Sequence, residues 1–323
     1  MSFLVLSDNE VALLRFTCDL FFVEESPLWF FEGSPREPAD FAAAYHALVE
    51  RSVVDPREFR MTDAALNRVA PVTECDARIV HLVQGPGTRL HQTDYYLLDE
   101  IAVEYQRTDD GRNVFGRDAD DVELVARLAR CFVPRRATGE GIDIVLAPME
   151  FVALSHLLAG ARQTGSAEME MSLDDAHAAL GRPPDDDALL AGHQPVVLLR
   201  KREGPSWAPA LRGLADKRLL VLRDGRVRLS GLLSPLLGTR PQERHTIVRS
   251  DFREDDWAVR EITLIPHDGG VFLFRPERGG TAVVDLDGAG LRAALERTIT
   301  PYRSERASPR RIADLLVGLP RRA

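Results

Sequence analysis

Apolar and polar residues along this chain follow two patterns, one spaced for a helix face and one strictly alternating. In FLVLSDNEVALL, from Phe3, a short apolar run passes through a polar turn into residues spaced three and four apart, which predicts a strand, a cap and a helix. Helices are predicted over Ala39 to Glu50, Thr62 to Val69, Trp207 to Lys217 and Ser230 to Leu237, each in a window with helical spacing. Elsewhere the period drops to two. ARIVHLVQ, TDYYLLDE, IAVEYQR and NVFGRD read as strands, as do HTIVRSDF, WAVREITLIP, GVFLFRP and TAVVDLD further on. Gly-Pro-Gly, Asp-Asp-Gly, Asp-Gly-Gly and Gly-Gly turns separate them, and such short loops permit antiparallel meanders but not parallel crossovers. The predicted class is α+β.

The same order of elements occurs twice. VLSDNEVALL near the start recurs as VLAPMEFVAL, so that Val5, Leu6, Glu10 and Leu14 fall on Val145, Leu146, Glu150 and Leu154 at an offset of 140. Asp118 to Phe132 matches Asp285 to Ile299 at an offset of 167, with six identities in fifteen positions, and RIVHL at Arg78 matches TIVRS at Thr246 at 168. A tandem duplication with pseudo-twofold symmetry accounts for this, since repeated units show as self-similarity at a fixed spacing. Copy one is placed at 1–135 and copy two at 142–300, joined by VPRRATGEG (Val133 to Gly141). The growing offset puts roughly 27 extra residues in copy two, within about 160–206. A basic helical tail over 301–323 would close the chain, with six arginines against Glu305 and Asp314.

Composition narrows the function classes. The length is ample for a buried core without staples. Cys18, Cys75 and Cys131 are scattered and odd in number, which fits a reducing cytosol better than a disulfide framework. The N-terminus lacks a signal-peptide pattern and no apolar run reaches a membrane span, so a cytoplasmic protein is expected. Lysine occurs only at Lys201 and Lys217, an arginine bias that high-GC coding explains. A formal charge of −9 works against nonspecific nucleic-acid or anionic-lipid binding.

Candidate chemistry is sparse. Asp118 with Asp120, and Asp285 with Asp287, faintly suggest a calcium loop, but each pair precedes a helix and is better placed to cap it. The eight histidines show no metal spacing; His91 with Asp94 is the nearest to a polar cluster. No nucleophile elbow, Walker loop or GxGxxG is present, although a dispersed triad has no sequence signature. The stretch from Ala208, a helix, an Arg-Asp-Gly-Arg hairpin and then LSGLLSPLL, resembles part of a winged helix. LSGLLSPLL carries no base-reading side chains, which favours a helical layer packed on the sheet. LFFVEESPLWFF (Leu20 to Phe31) suits either a partner surface or a core strand.

VLSDNEVALL with VLAPMEFVAL, ALVERSVVD with ALRGLAD, and DADDVELVARL with DLDGAGLRAAL together resemble the EspG proteins of ESX (type VII) secretion. The resemblance spans most of the chain and implies a pseudo-twofold fold around a central antiparallel sheet. It also implies a non-enzymatic cytosolic chaperone for a helical secretion substrate, with no short motif for its partner-binding residues. The sequence therefore assigns no catalytic, cofactor, metal or partner-binding residue, and no cofactor. It points to a chaperone or adaptor with a helical protein partner, with a winged-helix-like nucleic-acid-binding regulator as the alternative.

Overall fold

A computed structural model describes residues 3–18, 20–29, 38–85, 89–132, 141–163, 170–181, 207–234, 243–252, 257–267 and 269–300. The first half runs β1 (Leu4–Leu6), α1 (Asp8–Thr17), α2 (Pro38–Glu50), the small hairpin β2 (Val54–Asp55) and β3 (Arg60–Met61), and α3 (Asp63–Thr73). It continues through β4 (Ala77–Gln84), β5 (His91–Leu98), β6 (Ile101–Arg107), β7 (Asn113–Phe115) and α4 (Asp121–Ala129). The second half opens with β8 (Asp143–Leu146), α5 (Pro148–Gln163), β9 (Glu170–Ser172), α6 (Leu173–Gly181) and α7 (Ala208–Asp216). Then come the hairpin β10 (Leu220–Arg223) and β11 (Arg226–Leu229), β12 (Arg244–Phe252), β13 (Trp257–Pro266), β14 (Val271–Glu277), β15 (Gly280–Leu286) and α8 (Gly288–Ile299).

The fold is α+β, and the two meanders join edge to edge in one antiparallel ten-stranded sheet, β1-β7-β6-β5-β4-β12-β13-β14-β15-β8. Read outwards from the β4–β12 seam, both halves have the same connectivity. At the seam Val80 pairs with Val248, residues that are equivalent at the sequence offset of 168, so a pseudo-twofold axis passes between them. The conserved-looking ends have a local cause as well. Asp120 accepts from the Glu123 amide (2.7 Å) and Asp287 from the Gly290 amide (2.8 Å), each capping its helix.

Alternation along the strands divides the core. Ala77, Ile79, Ile247, Ile262 and Leu264 face α4 and α8, which pack together across the middle of one face. On the opposite face two separate helical layers cover the ends of the sheet. α1, α2 and α3 bury Tyr96, Val103, Tyr105 and Phe115; α5, α6 and α7 bury Ile265, Phe272, Phe274 and Val283.

Each of these layers is tied by the same device. Glu10, nine-tenths buried, accepts from the Ser7 amide (2.7 Å) and pairs with Arg51 just beyond α2. Glu150, equally buried, accepts from the Ala147 amide (2.8 Å) and from Lys217 Nζ (2.6 Å) just beyond α7. Both carboxylates thereby satisfy orphan amides at a helix start and bind that helix to the next. Gly213 stands directly against the second: a Cβ there would lie 1.9 Å from Glu150 Oε1. A glycine-to-alanine change inside a helix ordinarily gains up to about 1 kcal/mol. Gly213→Ala is expected instead to cost roughly 1–2 kcal/mol by displacing Glu150 from its buried partners, which urea denaturation will measure.

Two expectations need correction: the strand reading of Leu20 to Phe31 and the helix from Ser230. LFFVEESPLWFF forms no strand among its described residues, 20–29. Leu20, Phe22 and Leu28 are buried while Phe21 and Trp29 are exposed, so turns alternate its aromatics between core and surface. The helix expected from Ser230 is a short 3-10 turn, Gly231–Leu233, capped by the Ser230 hydroxyl; Leu237 lies outside the described residues. The insertion near 160–206 contributes a strand, β9, and a helix, α6, within its described part. The linker 133–140 and the tail 301–323 lie outside the described residues.

Candidate partner-binding face

Among the described residues, the two helical layers leave the middle of their shared face to the side chains of β5, β4, β12 and β13. Val80, Leu82, Thr246, Val248 and Ser250 point to this side and are only half-buried, although they sit on the most central strands of the sheet. Three strand spacings make the floor about 14 Å wide, and eight-residue strands make it about 27 Å long. An α-helix is about 10–12 Å across, and 27 Å holds about 18 of its residues. The dimensions suit one helix lying between the two layers.

The floor is apolar at its centre and polar around it. Arg78 donates to Asp94 Oδ1 from Nη2 (2.6 Å) and Nε (3.0 Å), and its guanidinium lies 5.6 Å from the Tyr96 ring centroid. Gln92 donates to the same carboxylate (2.9 Å), Arg244 donates to Gln84 (2.6 Å), and the Thr246 and Thr263 hydroxyls meet at 3.2 Å. These groups fix one another's orientation along the rim of Val80 and Val248. The His91–Asp94 cluster does not form: His91 lies by the Thr93 hydroxyl (3.5 Å), while Arg78 and Gln92 occupy Asp94.

Beneath the floor, on the α4/α8 side, the two sides of the axis differ. On one, His81 Nε2 and His245 Nδ1 are 3.0 Å apart with stacked rings, and Phe132 packs on His245 (4.5 Å). Burial, reinforced for His81 by His245 and His91, holds both imidazoles down to about 4. With His81 as donor, the His245 Nε2 proton faces Glu243 Oε2 at 3.4 Å, too long for a good bond and otherwise without a partner. On the other side Arg249, 4% exposed, donates to Asp251 (2.7 Å) and to the Ile299 carbonyl. Arg260 reaches Asp251 (2.9 Å) and the carbonyls of Arg297 (3.1 Å) and Thr300 (3.0 Å). Two cations thus cap the negative end of α8.

Neither cluster was legible in the sequence, because His81 and His245 meet only through the β4–β12 register, and Arg249 and Asp251 meet Arg260 and the end of α8 only through the β12–β13 register and the docking of that helix. The one signal was the RIVHL–TIVRS match, which places His81 and Arg249 at equivalent positions.

Cys75 and Cys131 have the chemistry of structural thiols. Burial first, then Glu25 and Asp76, push the Cys75 thiol up to about 12, and burial also raises Cys131. A reactive cysteine requires the opposite shift. Among the described residues no three His, Cys, Asp or Glu side chains come together as a metal site, and no helix is long and apolar enough to cross a membrane.

The fold and this face define a class: an α+β protein with a helix-wide open sheet face between two helical layers. No family model matches the chain, and the comparison with curated proteins gives no match. Among solved structures it is similar to the Mycobacterium tuberculosis type VII secretion system chaperone EspG5, solved in complex with a PE25–PPE41 dimer. That likeness covers 93% of this chain and 98% of that one, at 11% identity and a TM-score of 0.47, and lies in the general course of the chain.

Proposed function

We propose that the protein is a non-enzymatic binding protein, an EspG-like chaperone or adaptor that seats a helical partner, such as a secretion substrate, on the central sheet face. The observation carrying this reading is the half-exposed apolar strip of Val80, Leu82 and Val248 on a helix-sized floor bounded by helical layers. Burying such a strip against an amphipathic helix is the usual basis of helix-in-groove recognition. The polar rim would orient the partner through hydrogen bonds rather than supply most of the affinity.

In this reading the chain is a cytoplasmic tandem duplication, with copies at 1–135 and 142–300. The matching connectivity on either side of Val80 and Val248 and the paired Glu10 and Glu150 devices support it. A nucleic-acid-binding role has less support. Within LSGLLSPLL, the stretch that reading would place on DNA, Gly231–Leu233 forms only a 3-10 turn, and α7 before the hairpin exposes Ala208, Pro209, Arg212 and Asp216, a poor set for reading bases.

A photo-crosslinking amino acid at position 248, in cells that make the protein, tests this reading. Crosslinks from 248 should join the protein to one predominant partner through a helical segment. The same group at Val122, 74% exposed on α4 across the sheet, should give none. Equal capture from both positions would count against a partner on the central face.

A further inference from the structure

The second half contains a unit that the first lacks. β9, from the inserted stretch, pairs with β11, so the β10–β11 hairpin becomes a three-stranded antiparallel sheet in the order β10-β11-β9. α5 packs against α6 and α7, α7 packs on β10, and α6 packs on β9 and β11. Helix, strand, two helices and then a hairpin, with the first strand paired to the last, is the order of a winged helix. The tip is a tight turn at Asp224 (φ 52°) and Gly225 (φ 70°), whose left-handed backbone matches strand twist and continues the hairpin into solvent.

Among the described residues, β10 is the outer strand of this sheet. The Ser230 amide donates to the Leu219 carbonyl (2.8 Å), which sets the hydrogen-bonding phase of the hairpin. Val221 therefore exchanges bonds with Arg228 and Arg223 with Arg226, while the backbone groups of Leu220 and Leu222 point off the sheet edge. This edge is apolar, with Val221 55% and Leu222 42% exposed. Its outward face is basic: Arg223, Arg226 and Arg228 are all exposed beside Val221. Glu170, opposite Arg228 on β9, lies 3.2 Å from Arg226, and Arg223 has its neighbour Asp224 at 3.3 Å, whereas Arg228 forms no ion pair among the described residues.

We propose that β10 is a docking edge for an extended acidic segment of a partner protein, which adds to the small sheet as a fourth strand. The backbone groups of Leu220 and Leu222 would supply main-chain hydrogen bonds, as in other strand-addition complexes. Because side chains alternate, the partner's residues on one face would meet Arg223 and its neighbouring arginines, and those on the other would meet Leu222. The matching segment alternates acidic with apolar residues. Like-signed charge on the outward face discourages pairing with a second copy of the same edge. This surface is separate from the central sheet face, and the inference does not depend on that reading.

The test uses the full chain and three labelled probes: a peptide of alternating glutamate and valine, its lysine–valine counterpart, and a short DNA duplex. The acidic peptide should bind, slow amide hydrogen exchange within β10, and lose affinity as salt is raised. Arg223→Glu with Arg228→Glu should weaken it by about ten-fold or more. Leu222→Pro should abolish binding while leaving thermal unfolding nearly unchanged, because proline is tolerated where an edge amide makes no sheet bond. If Leu222→Pro unfolds the protein, the charge-reversal pair alone decides. Val248→Arg should leave peptide binding intact, which separates this site from the central face. Failure of the acidic peptide to bind or to protect β10, or equal binding of the lysine peptide or the duplex, would overturn the proposal.

Discussion

Asp251→Ala is expected to destabilise the protein by about 3–5 kcal/mol, the range for removing one partner of a buried ion pair. Asp251 is the hub of the seam: Arg249 and Arg260 both donate to it, and no other described carboxylate forms an ion pair with either arginine, although Asp76 is near enough to feel the charge of Arg249. Burial alone would raise this carboxyl, but the two arginines outweigh burial and hold it below its ordinary value. Without it, Arg249 stays buried with the Ile299 carbonyl as its remaining hydrogen-bond partner and only the more distant charge of Asp76 to offset its own. The pair Arg249→Met with Asp251→Leu should recover more than half of the loss, because no buried charge remains. Urea denaturation of the three proteins measures both effects. A single variant as stable as the parent would show that the cluster is wetter and looser than its geometry indicates.

The second large effect is acid lability. His81 and His245 have folded values near 4 against an ordinary 6.5, so between those values the unfolded chain binds protons that the folded protein refuses. Their stabilisation is fully present above pH 6.5 and is lost as pH falls towards 4. Asp76 works the other way. Burial raises it to about 6 despite the Asp99 amide and Arg249, so folding is helped as pH falls through 6. Each histidine forfeits about 2–3 kcal/mol by pH 4.5, and Asp76, an exposed residue whose contribution water screens, offsets only part of this, leaving a net loss of roughly 3–5 kcal/mol between pH 7 and 4.5. The variant His81→Gln with His245→Asn keeps a donor and an acceptor in place but cannot titrate there, and should lose less than half as much. An equal loss in both proteins would assign the acid sensitivity to other groups.

The strands of this fold were nearly all legible because alternation and turn chemistry agree along them. β4, β6 and β13 occupy the ranges their patterns predict, and the others differ by a few residues at their ends. The repeat gave more. An offset of 168 between RIVHL and TIVRS, combined with antiparallel pairing, places Val80 on Val248. Sequence could not show which face of that seam is covered, because Arg78, Val80 and Leu82 alternate with Ile79 and His81 as in any amphipathic strand. Coverage depends on where α1–α3 and α5–α7 pack, a tertiary property with no local signal. Of the two readings open for Leu20 to Phe31, the strand fails over residues 20–29 for a related reason: high β propensity reports fit to a half-buried surface, which turns around Ser26 also provide. β9 was missed because three residues between a helix and a polar stretch carry too short a pattern to register.

The repeat also separates structural features from candidate functional ones. Glu10 and Glu150, and Asp120 and Asp287, do the same work in each half. The features that differ between halves are the histidine and arginine sides of the seam, the unit built on β9, and the exposed edge of β10.

The most direct test of the central claim is the affinity of the crosslinked partner, once purified, for Val248→Arg and for Val122→Arg. Val248 lies beside Val80 at the centre of the floor, while Val122 projects from α4 on the opposite face. Both substitutions fall on accessible positions and should leave thermal unfolding nearly unchanged. A helix seated across the floor predicts a loss of about 100-fold or more for Val248→Arg, the effect of a charge at the centre of a desolvated contact, and none for Val122→Arg. Undiminished binding by a folded Val248→Arg protein would contradict a partner on the central sheet face.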